Sequence, residues 1–299
     1  MSDGRVIFGI DVGGSQVKGL AVATDGRVLA EETLPTHDRG DTMWRNQVEA
    51  VFAALRRRFP DALATGLCAP GLASGDERSI RNMPGRLSGL ENLVWSDVLK
   101  VPTVVLNDAH SAVLGEVWLG AARGLENVLL LTLGTGVGGA ALVDGRLLRG
   151  HMGRAGHVGH ISLAPDGPAD IVGTPGSLED AIGDCTVAAR SQGKFSTTRE
   201  LVAAANAGDA LAREIWHRSI RVLAAALASL INVLDPHTIV IGGGIAEAGE
   251  ALFGPLRVAL EPMEWRLDGS RVAVVPAQLG SRAGAFGAAY RALQTFSSP

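Results

Sequence analysis

The feature that most constrains this chain is a repeated pattern of apolar runs joined by glycine-rich turns. One copy covers residues 7–32 (IFGIDVGGSQVKGLAVATDGRVLAEE), and the other covers residues 128–150 (VLLLTLGTGVGGAALVDGRLLRG). In each copy an Asp-Gly-Arg turn separates the second apolar run from the third. Apolar runs that alternate with such turns predict antiparallel β-hairpins. The same meander twice predicts two related lobes from a duplication; the alternative is a chance likeness of two glycine-rich hairpins.

Helical patterns and short apolar strands fill the rest of the chain. Strands that alternate with helices indicate the α/β class, and 299 residues are enough for two domains. The stretch 162–177 is rich in Pro, Gly and Asp and is predicted to be a loop, as is the stretch 71–96. The predicted helices are residues 41–59, 209–234 and 281–295, and the predicted strands are residues 64–68, 104–107 and 238–241.

The charge balance and the cysteine content exclude several classes of protein. A net charge of −4 argues against an electrostatic nucleic-acid partner. The two cysteines, Cys68 and Cys185, exclude a disulfide scaffold and an all-cysteine metal site, and they suit a reducing compartment. No signal-peptide pattern follows Met1, and the apolar runs 128–143 and 222–234 do not suit a membrane span. We therefore expect a cytoplasmic protein without a nucleic-acid or membrane partner.

Three glycine-rich loops are candidates for binding phosphate. They are residues 11–15, 134–139 and 242–244, and each directly follows an apolar strand. Glycine lets the backbone approach a ligand closely, and successive N–H groups form an anion-binding concavity. Taken singly, each of these loops is better explained as a hairpin turn without a ligand. Three in one chain favour a nucleotide.

A dinucleotide-binding fold does not explain these loops. Gly134, Gly136 and Gly139 match the G-x-G-x-x-G pattern, which has to open a helix and be followed by an acidic residue about 20 positions later. Here the pattern runs into another predicted strand, and neither Asp nor Glu occurs between residues 145 and 165. A phosphotransferase with a strand–loop–strand phosphate site in each lobe fits the pattern better.

Two aspartates suit the chemistry of phosphoryl transfer. One carboxylate has to help hold the Mg²⁺ of the nucleotide, and another has to accept the proton of the attacking hydroxyl. Asp11 on the first glycine loop suits the first task, and Asp108 at the end of a predicted strand suits the second. The structural alternatives are a turn-forming role for Asp11 and a helix N-cap role for Asp108.

The motifs occur together in one order and spacing. They are Asp11-x-Gly-Gly-Ser15-x-x-Lys18, Asn107-Asp108-Ala109, Leu133-Gly134-Thr135-Gly136-Val137-Gly138-Gly139, Gly159-His160 and Ile241-Gly242-Gly243-Gly244. As a set they resemble the ROK family, the bacterial sugar-kinase group of the actin and hexokinase superfamily. The resemblance runs from about residue 6 to about residue 290.

The resemblance implies two actin-like (ribonuclease H-like) lobes around a central cleft. Residues 1–110 and 283–299 are expected to form the small lobe, and residues 111–282 the large lobe. The resemblance also implies ATP and Mg²⁺ as cofactors, a small-molecule sugar as substrate and a homodimer. The expected reaction is transfer of the γ-phosphoryl group to a hexose hydroxyl, with the 6-hydroxyl of glucose or a related aldohexose as the first candidate.

The resemblance assigns roles to individual residues. Asp108 is the expected general base, and Asp11 is expected near Mg²⁺ through the nucleotide. The expected sugar-binding residues are Gly71, Asn82, Asn107, His157, His160 and Glu179. The residues expected to bind the nucleotide are Asp11, Gly13, Gly14, Ser15, Lys18, Gly134, Thr135, Gly136, Gly243 and Gly244.

The first departure from the family pattern is at position 157. The family usually has Gly-Glu-x-Gly-His, and its glutamate accepts hydrogen bonds from sugar hydroxyls. This chain has GHVGH at residues 156–160, so His157 replaces the acid. A carboxylate only accepts hydrogen bonds, whereas a neutral imidazole donates one and accepts one. We expect the preferred pattern of sugar hydroxyls, or the affinity for the sugar, to differ.

The second departure concerns structural zinc. Many members bind zinc through a histidine and three cysteines in a Cys-x-Cys-Gly-x-x-Gly-Cys-x-Glu run. Here residues 170–179 read DIVGTPGSLE, which keeps both glycines and Glu179 but no cysteine. Tetrahedral zinc needs thiolate or imidazole ligands, and His160 alone cannot supply them. We predict no structural zinc, and we expect the prolines of this loop to stiffen it instead.

Two alternatives to an ATP-dependent kinase stay open. Polyphosphate-using glucokinases of the family also lack the zinc cysteines, so the donor could be polyphosphate. The family also contains transcriptional repressors, so a non-catalytic sugar sensor is the alternative from another class. No helix-turn-helix pattern precedes residue 6, and Asp108 is present, which favours the enzyme.

Overall fold

The computed structural model describes residues 5–83 and 85–296. The ends of the predicted small lobe, residues 1–4 and 297–299, lie outside the described residues, as does most of the N-terminal segment inspected for a signal peptide. The chain divides into two compact units. Unit 1 comprises Met1–Gly124, Arg149–Ala155 and Gln278–Pro299; unit 2 comprises Leu125–Leu148 and Gly156–Ala277.

These units differ in their bounds from the predicted lobes. The predicted boundary at residues 110 and 111 falls inside a helix, Asp108–Leu119, which stays whole in unit 1. The short segment Arg149–Ala155 also belongs to unit 1.

The strands and helices alternate along the chain in the α/β manner. The strands are β1 (Val6–Val12), β2 (Gln16–Ala23), β3 (Val28–Pro35), β4 (Thr65–Ala69), β5 (Leu72–Ala73), β6 (Ile80–Asn82), β7 (Thr103–Asn107), β8 (Val128–Leu133), β9 (Val137–Val143), β10 (Arg146–Leu147), β11 (Thr238–Gly242) and β12 (Ala273–Pro276). The α-helices are α1 (Trp44–Arg58), α2 (Trp95–Leu99), α3 (Asp108–Leu119), α4 (Leu178–Ile182), α5 (Val187–Arg190), α6 (Thr198–Asn206), α7 (Ala210–Leu234), α8 (Glu250–Leu260) and α9 (Ala283–Phe296).

Each of the two sequence repeats forms an antiparallel meander at one side of a five-stranded sheet. In unit 1 the strand order is β3-β2-β1-β4-β7, with β4 parallel to β1 and β7 parallel to β4. In unit 2 the order is β10-β9-β8-β11-β12, again with the last two strands parallel to the first strand of the meander. The two sheets therefore share one topology, and the predicted hairpins are confirmed.

The stretch 71–96 contains more regular structure than the loop predicted for it. Strands β5 and β6 pair as a short antiparallel ladder, and α2 begins within its last two residues. The stretch 162–177 is irregular as predicted, and isolated bridges join Ser162 to Ser177 and Ala169 to Pro175.

Helix α7 forms much of the core of unit 2. By length and composition it is apolar enough to cross a membrane. Its apolar side chains pack in the unit, however, with Leu223, Leu227 and Ile220 almost fully buried. The indole N–H of Trp216 donates to the carbonyl of Ala251 at 2.9 Å, which joins α7 to α8. One apolar face of α7 is therefore used for packing within the unit, whereas Leu211 and Val233 are exposed.

Helix α9 lies directly on the sheet of unit 1. Its backbone approaches β1 at Gly9 and β4 at Gly66, because a Cβ atom at these glycines would overlap the carbonyl oxygens of Ala285 and Ala288. Helix α9 also meets α3, where a Cβ atom at Gly287 would overlap the carbonyl oxygen of Ser111. Glycine is required at these contacts because backbone, which cannot rotate away, lies on the other side.

Substitution of one of these glycines tests the close approach. We expect Gly66→Ala to lower the free energy of unfolding by at least about 1–3 kcal/mol, because the methyl group has to push α9 off the sheet. Chemical denaturation measures this change. Gly75→Ala is the control, because a Cβ atom there meets nothing within 4 Å, and we expect it to stay within about 0.5 kcal/mol of the parent. Equal stability of the two variants would contradict the packing described.

Candidate active site

The first candidate phosphate loop, called the first phosphate loop below, is the turn between β1 and β2 in unit 1. The amide of Gly13 donates to the carbonyl of Gln16 at 2.9 Å, and the hydroxyl of Thr36 donates to the carbonyl of Gly13 at 2.6 Å. Gly14 and Ser15 are exposed at the tip. The loop is therefore held at its base and open at its tip, as a site for an anion requires.

Asp11 is the next-to-last residue of β1, just before this loop. It faces Lys18 directly across the β1–β2 ladder. Its Oδ1 accepts a hydrogen bond from the thiol of Cys68 at 3.3 Å. Its other oxygen lies against Gly284 of α9, where a Cβ atom would be 2.7 Å away. Burial raises the pKa of Asp11 to about 6; the charge of Asp108 adds to the rise, and Cys68 and Lys18 oppose it.

Asp108 begins α3 with an exposed side chain. The residue before it, Asn107, caps the helix, since its side-chain oxygen accepts hydrogen bonds from the amides of Ala109 at 2.9 Å and His110 at 3.2 Å. The alternative role of Asp108 as the N-cap is therefore wrong. The carboxylate projects from the first turn of a helix at the carboxyl end of β7, where α/β proteins bind ligands.

The other residues of unit 1 expected to bind sugar lie next to this cap. The amide group of Asn107 donates to the carbonyl of Gly71 at 2.8 Å. Gly71 has φ +98°, and a Cβ atom there would overlap the carbonyl of Asn82. The side chain of Asn82 is exposed. Gly71, Asn82, Asn107 and Asp108 thus form one neighbourhood, although the amide oxygen of Asn107 is already engaged by the helix.

The second phosphate loop joins β8 to β9 in unit 2. The carbonyls of Gly134 and Thr135 accept hydrogen bonds from the amides of Asp184 and Cys185, each at 2.9 Å. The carboxylate of Glu179 accepts a hydrogen bond from the amide of Val137 at 2.9 Å. One oxygen of Glu179 therefore supports this loop. Glu179 was expected only to bind sugar, so this contact was not predicted.

A cavity of about 720 Å³ opens beside this loop, entirely within unit 2. Gly134 and Thr135 line one end of it and Gly244 another, so two of the three glycine loops meet at one cavity. The remaining lining residues are Asp184, Thr197, Thr198, Arg199, Val202, Ala203, Asn206, Ile245, Glu247 and Ala248. A cavity of this volume suits a nucleoside-sized ligand.

Helix α6 lines one side of this cavity, which was not predicted from the sequence. A capping box begins the helix: Thr197 accepts a hydrogen bond from the amide of Glu200 at 3.2 Å, and Glu200 accepts one from the amide of Ser196 at 2.8 Å. The Thr-x-x-Glu spacing could have located this helix end. It could not have shown that the end faces a cavity. Arg86 was missed as well: its guanidinium lies against Gly14 in unit 1.

His160 and Asp170 form a close pair in unit 2. The Nδ1 atom of His160 lies 2.8 Å from Oδ2 of Asp170. Position 170 is the first of the three cysteine positions of the zinc pattern, and the other two hold Val172 and Ser177. Valine has no donor atom and a serine hydroxyl is a poor zinc ligand, so these residues do not fit a tetrahedral zinc site. Among the described residues, no group of three His, Cys, Asp or Glu side chains could hold a metal ion.

The expected site residues thus fall into two sets. Unit 1 holds Asp11, Gly13, Gly14, Ser15, Lys18, Gly71, Asn82, Asn107 and Asp108; unit 2 holds Gly134, Thr135, Gly136, His157, His160, Glu179, Gly243 and Gly244. Within unit 1 the base candidate and the first phosphate loop share one sheet edge. Within unit 2 the second phosphate loop and the third glycine loop share one cavity.

A family model described as the ROK family matches residues 7–295. The chain belongs to the ROK family. A curated ROK relative, the glucokinase of Halalkalibacterium halodurans, is 34% identical over 96% of this chain and 94% of its own length. The expected family is therefore confirmed.

Solved ROK structures share the fold. The ROK hexokinase of Thermus thermophilus has a TM-score of 0.84 and 32% identity, covering 97% of this chain and 98% of its own. A ROK glucokinase from Streptomyces griseus, solved in complex with glucose and AMPPNP, has a TM-score of 0.78 and 27% identity, covering 97% and 99%. The expected α/β actin-like fold and the expected class of enzyme, a sugar kinase, are confirmed.

The raised pKa of Asp11 has a consequence for stability. An unfolded Asp ionises near pH 3.8, whereas the folded protein resists ionisation up to about pH 6. Folding stability therefore falls as the pH rises through this interval. Without metal or nucleotide, we expect Asp11→Asn to be more stable than the parent above pH 6, by on the order of 1–3 kcal/mol, and equal to it below pH 4. Thermal unfolding across this pH range measures the difference.

The control for this prediction is Asp61→Asn, which replaces an exposed carboxylate of the same unit. We expect no pH-dependent difference from the parent for this variant. A stability difference for Asp11→Asn that does not change with pH would show that burial does not govern the ionisation of Asp11.

Proposed function

We propose that this ROK sugar kinase transfers the γ-phosphoryl group of ATP to a hexose hydroxyl, with Asp108 as the general base. The observation that carries the proposal is the exposure of the Asp108 carboxylate at the carboxyl end of β7. Its Oδ1 accepts a hydrogen bond from the amide of Ala109 at 2.8 Å, and the exposed carboxylate can accept a proton from a substrate hydroxyl.

The cavity in unit 2 supports a nucleotide as the phosphoryl donor. It adjoins Gly134 and Thr135 of the second phosphate loop, and apolar side chains such as Val202 and Ile245 contribute to its walls. A linear polyphosphate chain has no base or ribose to occupy such a cavity, so the cavity favours ATP over polyphosphate. The relative solved with AMPPNP also supports this donor.

Asp11 fits a role beside Mg²⁺. Its carboxylate is desolvated, and burial raises its pKa to about 6, so a cation beside it would stabilise the ionised form. Mg²⁺ usually binds through one or two carboxylates together with the phosphates of the substrate, so a single aspartate is sufficient. The ion would neutralise charge on the phosphates, while Lys18 and the loop tip at Gly14 and Ser15 contact them.

Glucose is the proposed first substrate, with phosphorylation at its 6-hydroxyl. The similarity to the Halalkalibacterium glucokinase and to the glucose complex from Streptomyces griseus supports this choice. Because His157 replaces the usual glutamate, the sugar preference of this enzyme can differ from that of the two glucokinases. We also propose that the enzyme is cytoplasmic and a homodimer, which follows from the family and from the sequence pattern.

The test of the base is Asp108→Asn. We expect kcat for ADP release to fall by about 10²–10⁴, because the amide cannot accept the proton, while the dissociation constants for sugar and ATP stay within a few-fold. A coupled ADP-release assay across aldohexoses, ketohexoses and N-acetylhexosamines measures turnover. Asp97→Asn is the matched control, since Asp97 is also an exposed aspartate in the first turn of a helix. Near-parental turnover of Asp108→Asn would overturn the assignment.

The test of the donor is Ala203→Trp. The indole would fill part of the cavity, so we expect the KM for ATP to rise about tenfold or more while the KM for the sugar is unchanged. Ala207→Trp is the control, because Ala207 is exposed just past the end of the same helix but does not line the cavity. Turnover with inorganic polyphosphate that survives Ala203→Trp would establish polyphosphate as the donor.

Sugar-dependent thermal stabilisation of the parent protein without turnover would indicate a non-catalytic sugar sensor.

A further inference from the structure

The side chain of Asp170 is fully buried in the irregular stretch 162–177. One oxygen, Oδ1, accepts hydrogen bonds from the amides of Val172 at 3.0 Å and Thr174 at 2.9 Å. The other, Oδ2, lies 2.8 Å from Nδ1 of His160. Burial alone would oppose ionisation, but hydrogen bonds from His160, Thr174, Val172 and Ser177 lower the pKa of Asp170 below its ordinary value. The group that His160 meets is therefore a carboxylate ion.

A carboxylate determines which nitrogen of the histidine carries the proton. An ionised carboxyl group has no hydrogen to donate, so Nδ1 of His160 must be the donor in this pair. In the neutral imidazole, Nε2 then has no proton and presents a lone pair. The ring is about one quarter exposed (28%), so it can reach both its buried partner and a ligand.

The loop around Asp170 is organised to hold this orientation. The amides of Leu163 and Ala164 donate to the carbonyl of Gly176 at 2.9 and 3.2 Å, and the amide of Gly176 donates to the carbonyl of Pro168 at 2.8 Å. These bonds close the loop on both sides of the carboxylate. A metal is not needed for the closure, because Asp170 joins the loop to His160 through hydrogen bonds alone.

We propose that Asp170 is a positioning residue that fixes the tautomer and orientation of His160, so that Nε2 accepts a hydrogen bond from a sugar hydroxyl. This proposal rests on the proposed function, because it takes His160 as a sugar contact. It also predicts a selectivity: the sugar hydroxyl that contacts Nε2 of His160 has to donate the hydrogen bond. Zinc bound to one nitrogen would leave the other nitrogen protonated and would require an acceptor instead.

The principal test is Asp170→Asn. The amide oxygen can still accept from Val172 and Thr174, while the amide nitrogen now donates to Nδ1 of His160 and moves the ring proton to Nε2. We expect the imidazole ¹⁵N resonances of His160 to show the opposite tautomer at mildly alkaline pH. We expect the KM for the sugar to rise about tenfold or more, with kcat and the KM for ATP within a few-fold.

The control variant is Asp166→Asn, in the same loop. Asp166 is exposed, so the loss of its charge should change neither the tautomer of His160 nor the KM for the sugar. A flipped tautomer in Asp170→Asn together with an unchanged KM for the sugar would overturn the proposal. A purely structural role of Asp170 would lower stability and affect the kinetics of both substrates without a specific change in sugar affinity.

Two measurements on the parent protein keep the proposal testable if Asp170→Asn does not fold. The ¹⁵N spectrum of the parent should show a protonated Nδ1 and an unprotonated Nε2 for His160, and the reverse would overturn the proposal. The second measurement is the affinity for deoxy and deoxyfluoro analogues of the sugar that the enzyme accepts as its substrate. At one ring position both should bind equally weakly, since fluorine cannot donate. If the deoxyfluoro analogue bound more tightly than the deoxy analogue at every ring position, the proposal would also be overturned.

Failure of the proposed function would look different from failure of this inference. In that case the parent protein would release no ADP with any sugar of the panel and would show no sugar-dependent change in the His160 resonances. That outcome would overturn both proposals together. Sugar turnover with the wrong tautomer would overturn only the assignment of Asp170.

Discussion

The close contact between α9 and the sheet of unit 1 determines the environment of Asp11. Backbone lies against backbone at Gly9 and Gly66, so no side chain separates the helix from the strands. At the same contact Gly284 leaves room for the Asp11 carboxylate and for the thiol of Cys68. The carboxylate is therefore desolvated by the surrounding protein, and this desolvation is the largest cause of its raised pKa. The raised pKa of Asp11 thus originates in the packing of a helix.

The two units use one topology for different chemistry. In unit 1 the meander carries Asp11, and the parallel strand β7 leads into Asp108. In unit 2 the corresponding turn carries Thr135, and the strand after the meander, β11, leads into Gly243 and Gly244 at a cavity. Each sheet thus presents a loop from its first strand and a loop or helix start from a parallel strand.

Features encoded by local patterns could be predicted from the sequence, and features encoded by distant contacts could not. The hairpins, the course of α7 and the position of Asp108 at a strand end follow from apolar periodicity and turn residues. The hydrogen bond from Val137 to Glu179 joins residues 42 positions apart, and only the folded chain shows that Glu179 supports the phosphate loop. Likewise, the lost zinc cysteines were visible in the sequence. That Asp170 takes a place beside His160 was not, because an aspartate in a loop of this composition has many possible partners.

The return of the chain to unit 1 also has a consequence for biosynthesis. Unit 2 is complete once residue 277 has been made, whereas the sheet of unit 1 still lacks α9, which is supplied by residues 283–296. Domains generally fold as units during synthesis. Unit 1 therefore cannot finish folding before unit 2 has been made, and Gly9 and Gly66 leave uncovered backbone on the nascent sheet until α9 has been synthesised. Truncation of α9 would accordingly expose the sheet face beside Asp11 while leaving the cavity of unit 2 with all of its residues.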